Sequence, residues 1–281
     1  MRADIGIIGL GLLGSALAQR LHDGGYRLHG FDPATGKNTP ATLHPSPQEV
    51  FANCDTVFFS LPQSSVSAAV IEETKDAITS SHVVLDTTTG SPDEMIAISK
   101  IIASRGAVYL EANVAGSSEQ LRRNEATFFV GGDPDVAHSV DELLRAIAPI
   151  VHYLGPVGTA SRFKLVHNLI LGLNRAALAE GLRFAESLGF DPSSALSLLD
   201  QTPAASHAMS AKGRRMAERD YDPPQARLKQ HLKDVRLMLE EAKDNGITLP
   251  LSDVHRALLE QAAAKGFGDA DNSAIREAFE D

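Results

Sequence analysis

Three glycines near the start of the chain constrain its fold more than any other feature. Gly9, Gly11 and Gly14 form the pattern G-x-G-x-x-G. The apolar run Ile5–Gly9 predicts a strand, and the apolar spacing over Gly14–Gly24 predicts a helix. A strand, a glycine turn and a helix in this order are typical of a dinucleotide-binding turn, in which the pyrophosphate lies at the helix N-terminus.

Each glycine of this turn has a separate physical role. Gly9 permits the tight turn, Gly11 lets the backbone approach the pyrophosphate, and Gly14 lets the helix pack closely on the strand. The leucines between the glycines complete the predicted cofactor-binding segment, and they are Leu10, Leu12 and Leu13.

An acidic residue follows the glycine motif at the expected distance. Asp32 comes directly after the next predicted strand, 18 residues beyond Gly14. A carboxylate here accepts hydrogen bonds from the ribose hydroxyls and repels a 2′-phosphate. The sequence therefore predicts NAD as the cofactor, with NADP as the alternative because Lys37 could hold a 2′-phosphate. The competing interpretation is that Asp32 and Pro33 only form a turn.

Short apolar runs alternate with helical segments through the first half of the chain. This alternation predicts an α/β domain over residues 1–158, with a doubly wound, mostly parallel sheet of the Rossmann type. The helical spacing of apolar residues over 159–281 predicts an all-helical domain, which begins with one long helix over about residues 159–188. The predicted strands are Ile5–Gly9, Arg27–Phe31, Val57–Leu61, Val83–Asp86, Ala107–Glu111 and Thr127–Val130. The other predicted helices are Ser65–Ile78, Asp93–Ser104, Ser193–Leu199, Leu228–Asn245 and Leu251–Lys265.

Charge and composition exclude several classes of protein. The chain has 281 residues, a formal net charge of −10 and 43% hydrophobic residues. These values exclude a disordered chain and argue against a nucleic-acid binder, because such a binder needs a basic face. No apolar stretch is long enough to span a bilayer, so no membrane partner is expected. The single cysteine, Cys54, and the lack of a convincing signal peptide predict a cytoplasmic protein. The ten histidines lack ligand spacing, so we expect no metal site.

A lysine and an asparagine on the predicted long helix are candidate chemical groups. Lys164 and Asn168 are four residues apart, which places both side chains on one helix face. Their neighbours are mostly apolar, and this favours a special role for Lys164. The alternative is an ordinary solvated lysine.

Several motifs in a fixed order make the whole chain resemble one family of enzymes. After the glycine motif, these motifs are Leu61-Pro62, Asp86-Thr87-Thr88-Thr89, Glu111–Ser117, Val130-Gly131-Gly132, Gly155 and Gly158, Lys164 and Asn168, Glu180, Lys233-Asp234, Pro250-Leu251 and Gly266–Asp271. The chain resembles the β-hydroxyacid dehydrogenases, which include 3-hydroxyisobutyrate dehydrogenases and the reductases of tartronate and succinic semialdehydes. The resemblance implies hydride transfer between NAD(P) and a short 3-hydroxy acid. It also implies a homodimer or homotetramer formed through the helical domain.

The resemblance also implies roles for individual residues. Lys164 resembles the catalytic lysine, which acts as general acid and base, and Asn168 resembles its partner in orienting the substrate. Lys233 resembles the lysine that reaches the cofactor and the substrate, with Asp234 fixing its position. The implied cofactor-lining residues are Leu61, Pro62 and Thr89, and the implied substrate-carboxylate loop consists of Ala115, Gly116, Ser117 and Ser118.

The chain departs from the family pattern at the carboxylate loop. Asn113 replaces the usual proline and Ala115 replaces the usual serine, which removes one donor to the substrate. Asn124 replaces a glycine, and asparagine tolerates the left-handed conformation. The pair Arg122-Arg123 is interpreted either as solvated surface or as extra recognition of an anionic substrate.

Two alternative functions share this architecture. The first is an imine reductase, although such enzymes usually lack a lysine at the position of Lys164. The second is a non-catalytic NAD(P)-binding sensor, which the missing loop serine at position 115 would favour.

Overall fold

The computed structural model describes residues 3–34 and 38–280, and Lys37 lies outside the described residues. The chain divides into two compact units, Met1–Lys164 and Leu165–Asp281. The boundary falls within one long helix, Thr159–Ser187. None of the helices in the described part of the chain is both long and apolar enough to cross a membrane.

The first unit contains one sheet of eight strands with helices between them. Its strands are β1 (Asp4–Ile8), β2 (Arg27–Phe31), β3 (Thr42–Leu43), β4 (Thr56–Phe59), β5 (Val83–Asp86), β6 (Val108–Ala115), β7 (Thr127–Gly131) and β8 (Ile150–Gly155). Its helices are α1 (Leu12–Asp23), α2 (Pro47–Asn53), α3 (Ser64–Thr74), α4 (Pro92–Ser104), α5 (Ser118–Arg122), α6 (Pro134–Ser139) and α7 (Asp141–Ile147).

The strand order is β3-β2-β1-β4-β5-β6-β7-β8, and every neighbouring pair is parallel except β6 and β7. The first six strands have the order of a Rossmann sheet. Apolar residues from the sheet and its helices form two buried clusters, represented by Ile7 and Leu17 in one and by Phe59 and Ile98 in the other. The predicted fold class of this half is confirmed.

The second unit is built from helices. They are the rest of α8 (Thr159–Ser187), followed by α9 (Pro192–Leu199), α10 (His207–Glu218), α11 (Leu228–Asp244), α12 (Pro250–Ala262), a π turn (Ala263–Phe267) and a 3-10 helix (Asn272–Phe279). Its apolar core includes Met216, Val235, Leu259 and Ile275. In the described part of this unit, no strand of the sheet is present, as the sequence predicts.

The structure differs from the predicted elements in a few places. β6 continues four residues beyond the predicted strand, to Ala115. Neither β3 nor β8 was predicted, because both lie toward the sheet edges and Ile150 and Tyr153 of β8 are exposed. The sequence also did not predict α2, α5, α6, α7, α10 or the 3-10 helix Asn272–Phe279. Most of these helices are short, and α10 is rich in charged residues.

Candidate functional site

The glycine turn after β1 has a geometry that only glycine satisfies. Gly9 has a φ of +93°, and a Cβ there would lie 2.4 Å from the carbonyl oxygen of Ser60. A Cβ on Gly14 would lie 1.9 Å from the carbonyl oxygen of Gly9. The turn and the start of α1 are therefore packed against β1 without room for a side chain.

Gly11 is different, because its surroundings are open. A Cβ on Gly11 would meet no atom within 4 Å. Gly11 is also the N-cap residue of α1, and no side chain caps the helix there. The first N–H groups of a helix need a partner, and a phosphate group satisfies them well. The residues at this turn thus fit the pyrophosphate of a dinucleotide.

Asp32 lies beside this turn, at the end of β2. One carboxylate oxygen accepts a hydrogen bond from the Leu10 N–H at 2.7 Å, and the other accepts from the Ala34 N–H at 2.8 Å. Asp32 therefore stabilises the local turn, as the competing interpretation proposed. The same bonds hold its negative charge next to the glycine turn, as the cofactor interpretation requires.

Thr88 connects the segment that follows β4 to the end of β5. Its hydroxyl accepts from the Leu61 N–H at 3.1 Å, and its own N–H donates to Asp86 at 2.9 Å. Asp86 is almost wholly buried, and this burial raises the pKa of its carboxyl. The Asn113 amide donates to the Thr88 carbonyl at 2.8 Å, which the usual proline could not do. Asn113 therefore links the strand of the predicted carboxylate loop to the turn that carries Thr89.

The predicted cofactor residues of the first unit lie along one edge of the sheet. Gly9–Gly14, Asp32, Leu61-Pro62 and Thr89 follow the carboxyl ends of β1, β2, β4 and β5, which are parallel. Leu61 and Thr89 are half-buried and Pro62 is exposed. In open α/β sheets, ligands bind at this edge, where the strand order reverses between β1 and β4.

Most of the predicted carboxylate loop belongs to a strand and a helix, so little of it is irregular. Ala115 ends β6, Gly116 has a φ of +151°, and Ser117 is the N-cap residue of α5. The Ser117 hydroxyl accepts from the Gln120 N–H at 3.2 Å, and the Ser117 N–H donates to the Gln120 side chain at 2.9 Å. The Ser117 N–H is therefore engaged in the capping box, whereas its hydroxyl proton can still be donated. Ser118 is buried in the first turn of α5.

Glu111 is a residue of this region to which the sequence analysis assigned no role. Its carboxylate is buried in β6 and accepts from the N–H groups of Gly158 at 2.8 Å and Ala160 at 3.2 Å, and from the Ser161 hydroxyl. Burial raises the pKa of this carboxyl. Glu111 thus caps the start of α8, the helix that carries Lys164.

Lys164 is buried, with only 6% of its surface exposed. It lies on α8, on the face that carries Asn168 one turn later. The interpretation of Lys164 as a solvated surface residue is therefore wrong.

Within the second unit, three predicted site residues form one chain of contacts. The Asn168 amide donates to one oxygen of Asp234 at 2.9 Å, and the ammonium of Lys233 lies 3.0 Å from the other oxygen. Asp234 therefore lies between Asn168, from which it accepts a hydrogen bond, and Lys233, with which it forms an ion pair. A nitrogen of His167 lies 3.0 Å from the Asn168 side-chain oxygen, so His167 is a neighbour of Asn168 although the sequence analysis assigned it no role.

Arg175, His231 and His255 form a further polar group in the helical unit, and the sequence analysis assigned it no role. All three are buried, and the two rings lie 5.1 Å apart. Both rings pack on Gly172 of α8, where a Cβ would lie 2.4 Å from His231 and 2.6 Å from His255. The signal that could have found them is the arginine within an otherwise apolar stretch of the long helix.

The remaining expectations concern isolated residues. Arg122 and Arg123 are exposed and both lie within 4 Å of Glu119, which agrees with the solvated-surface interpretation. Asn124 adopts the left-handed conformation, with a φ of +62°. Cys54 is buried, and this burial raises the pKa of its thiol to about 12. The part of the chain that the structure describes contains no cluster of three or more metal-ligating side chains.

Comparison with known proteins identifies the family. Residues 4–155 match the model of the NAD-binding domain of 6-phosphogluconate dehydrogenase. Residues 158–279 match a second family model, which is described as NAD-binding of NADP-dependent 3-hydroxyisobutyrate dehydrogenase. The chain belongs to the β-hydroxyacid dehydrogenase family, and it is therefore an NAD(P)-dependent oxidoreductase.

Individual relatives agree with this assignment. The chain is 31% identical to glyoxylate/succinic semialdehyde reductase 2 of Arabidopsis thaliana, over 98% of this chain and 79% of that protein. It is 29% identical to 2-(hydroxymethyl)glutarate dehydrogenase of Eubacterium barkeri, over 98% of this chain and 94% of that protein. The fold is similar to that of Mycobacterium tuberculosis 3-hydroxyisobutyrate dehydrogenase, with a TM-score of 0.87 over all of both chains at 24% identity.

Proposed function

We propose that this protein transfers a hydride between NAD and a short 3-hydroxy acid or the corresponding semialdehyde. Its family supports the reaction class, and the names of its relatives support small acids and semialdehydes as substrates. The observation that carries the proposal is the burial of Lys164 one helical turn before Asn168, whose amide Asp234 holds at 2.9 Å. A buried lysine beside an oriented amide is suited to moving a proton at a substrate oxygen.

In this reaction Lys164 exchanges the proton of the substrate hydroxyl. The nicotinamide ring, when bound, accepts or donates the hydride. During oxidation, neutral Lys164 takes the hydroxyl proton. During reduction, protonated Lys164 gives a proton to the forming alkoxide and stabilises its charge. Asn168 donates to the same oxygen and Asp234 fixes the plane of the amide.

The acid group of the substrate is assigned to the segment Ala115–Ser118. The Ser117 hydroxyl supplies the side-chain donor there, because Ala115 has none and the Ser117 N–H is engaged with Gln120. Lys233, held by Asp234 at 3.0 Å, supplies a positive charge for the cofactor and the substrate. This positive charge suits a small anionic substrate.

NAD is the proposed cofactor because of the position of Asp32. Its carboxylate is held beside the glycine turn by the Leu10 and Ala34 N–H groups. A 2′-phosphate bound at the same place would be repelled by this charge. The proposed binding residues are those of the glycine turn together with Asp32, Leu61, Pro62, Thr89 and Lys233.

A spectrophotometric panel tests the proposed reaction. Purified protein is assayed with NAD and NADP against 3-hydroxyisobutyrate, glycerate, 3-hydroxypropionate, threonate and 4-hydroxybutyrate. The reduced cofactors are assayed with glyoxylate, succinic semialdehyde and tartronate semialdehyde. We expect turnover of at least one pair, with a higher kcat/KM for NAD than for NADP. Cofactor binding without turnover of any of these compounds would contradict the proposal and favour the sensor. Turnover of a cyclic imine alone would favour an imine reductase.

We further propose that the enzyme works in the cytoplasm as a homodimer or homotetramer assembled through its helical unit. Large apolar side chains on this unit are more than half exposed, which is unfavourable in a monomer. They include Val166, Ile170, Phe184, Leu188 and Leu198. Sedimentation of the purified protein as a monomer at assay concentration would contradict this assembly.

A further inference from the structure

Arg175 is an almost wholly buried cation with no hydrogen-bond or ion-pair partner among the described residues. Only 5% of its surface is exposed, although it lies near the middle of α8. Among residues 3–34 and 38–280, no group accepts a hydrogen bond from its guanidinium, and no carboxylate lies within 4.0 Å of it. The small exposed fraction of Arg175 includes its guanidinium nitrogens, so an anion or water can reach them from solvent. A guanidinium this far removed from bulk water normally contacts an anion or ordered water.

The nearby carboxylates are committed to other cations. Asp271 lies 2.8 Å from Lys212 and 3.8 Å from Arg215, and it also accepts from the Gln225 N–H at 2.8 Å. Asp234 holds Lys233 at 3.0 Å and Asn168 at 2.9 Å. Neither carboxylate therefore pairs with Arg175, and positive charge exceeds negative charge in this part of the helical unit. The attraction of Asp271 and Asp234 does not outweigh burial, which lowers the pKa of Arg175 to about 10.

His255 is a second buried polar group that lacks a partner in the described structure. Its exposure is 2%, and its Nε2 atom has no hydrogen-bond partner among the described residues. The ring packs on Gly172, one turn before Arg175 on α8. Arg175 lies one turn further along α8, and its charge is close enough to act on the His255 ring. Burial and the Arg175 charge lower the pKa of His255 to about 4, so the ring is neutral at pH 7 and can donate one N–H.

We propose that Arg175 and His255 form a buried site for one small monovalent anion, either chloride or a compact carboxylate. The guanidinium supplies the charge and up to two parallel donors, and His255 Nε2 supplies a further donor. The site is built entirely from the helical unit, and it does not depend on the proposed reaction. The anion comes from solvent or is a carboxylate of a longer substrate, and the two sources are separated by experiment.

Anion-dependent thermal stability tests the site without substrate or cofactor. Wild type is titrated with sodium formate or chloride at constant ionic strength, with sodium gluconate as the larger replacement anion. We expect a saturable rise in Tm of about 3 °C by about 200 mM formate. Arg175→Met keeps an unbranched side chain and removes the charge, so its Tm should not respond. Arg183→Met is the matched control, because Arg183 lies on the same helix, is partly exposed and should leave the response intact.

A parallel response of wild type and Arg175→Met would overturn the proposal, as would a wild-type Tm that is the same in formate and gluconate. If Arg175→Met does not fold, anomalous diffraction from wild-type crystals soaked in bromide decides the matter. A peak within hydrogen-bond distance of the Arg175 guanidinium supports the site, and a soaked crystal without that peak contradicts it. A kinetic assay separates the two sources of the anion. If the carboxylate of a longer substrate uses the site, added formate should raise KM for succinic semialdehyde but not for glyoxylate. Equal effects on both KM values assign the site to a solvent anion.

Discussion

His255 shows how burial of one side chain couples stability to pH. The ring is 2% exposed, and burial together with the charge of Arg175 lowers its pKa from 6.5 to about 4. In the pH window between these two values the unfolded chain binds a proton at this residue and the folded chain does not. The free energy of unfolding therefore decreases as pH falls from 6.5 toward 4.

The decrease attributable to His255 should reach about 3 kcal/mol at pH 4, because each pKa unit corresponds to about 1.4 kcal/mol. His255→Gln removes the titrating group, so its stability should depend less on pH in this window. Urea denaturation at a series of pH values measures the difference. His207→Gln provides the control, since His207 is exposed and its replacement should leave the wild-type slope unchanged. Identical pH dependence of wild type and His255→Gln would contradict the burial of a neutral ring.

At the residue scale, the sequence predicted the position of Asp32 but not the groups that it bonds. Asp32 was predicted beside the glycine turn from its distance to Gly14, and the structure places it there. That its carboxylate bonds to Leu10 and Ala34 depends on the backbone path of the turn, which spacing does not define. The capping role of Ser117 was missed for a related reason, because a short helix after β6 was not predicted.

Two glycines within the long helix α8 differ in what surrounds them. A Cβ on Gly172 would lie 2.4 Å from the His231 ring and 2.6 Å from the His255 ring, whereas a Cβ on Gly181 would meet no atom within 4 Å. Glycine inside a helix lowers stability because the unfolded chain has more freedom. At Gly172 an added side chain would gain helix propensity but clash with the two rings. At Gly181 it would gain helix propensity without a clash.

Alanine substitutions at these two positions should have opposite effects. Gly172→Ala should lower the free energy of unfolding by about 2 kcal/mol, because both buried rings must move. Gly181→Ala should raise it by about 0.5–1 kcal/mol. Chemical denaturation of the two variants beside wild type checks both values, and each variant serves as the control for the other. Stabilisation by Gly172→Ala would show that the histidine rings do not pack on α8.

At the element scale, strands in the interior of the sheet were predicted more accurately than the strand at its edge. The strands Arg27–Phe31 and Val83–Asp86 were predicted with the observed bounds, because they lie within the sheet and contain apolar residues. β8 begins directly after Pro149 and exposes Ile150, His152 and Tyr153, so its pattern is not that of a buried strand. The 3-10 helix Asn272–Phe279 is buried among other helices, and the guanidinium of Arg276 reaches the Met216 carbonyl and Glu186, both distant in the sequence.

At the scale of the whole molecule, the two units contribute different parts of the proposed chemistry. The sheet unit holds the glycine turn, Asp32 and the segment Ala115–Ser118 at the ends of parallel strands. The helical unit holds Asn168, Asp234 and Lys233 in one chain of contacts. The fold class of each half was predicted from the sequence, because one half alternates strands and helices and the other contains only helices. The polar group around Arg175 was not predicted, because its members come from three separate helices.

The proposed reaction rests on Lys164, and its replacement by alanine is the most direct test. Turnover of the best substrate from the panel and the Kd for NADH are measured for wild type, Lys164→Ala and Lys100→Ala. Lys100 is an exposed lysine of α4 and serves as the matched control. We expect Lys164→Ala to lose about 10³-fold in kcat, the scale of a general acid–base contribution, while its Kd for NADH and its fold are retained. Turnover by Lys164→Ala at the wild-type rate would contradict the assignment of proton transfer to this residue.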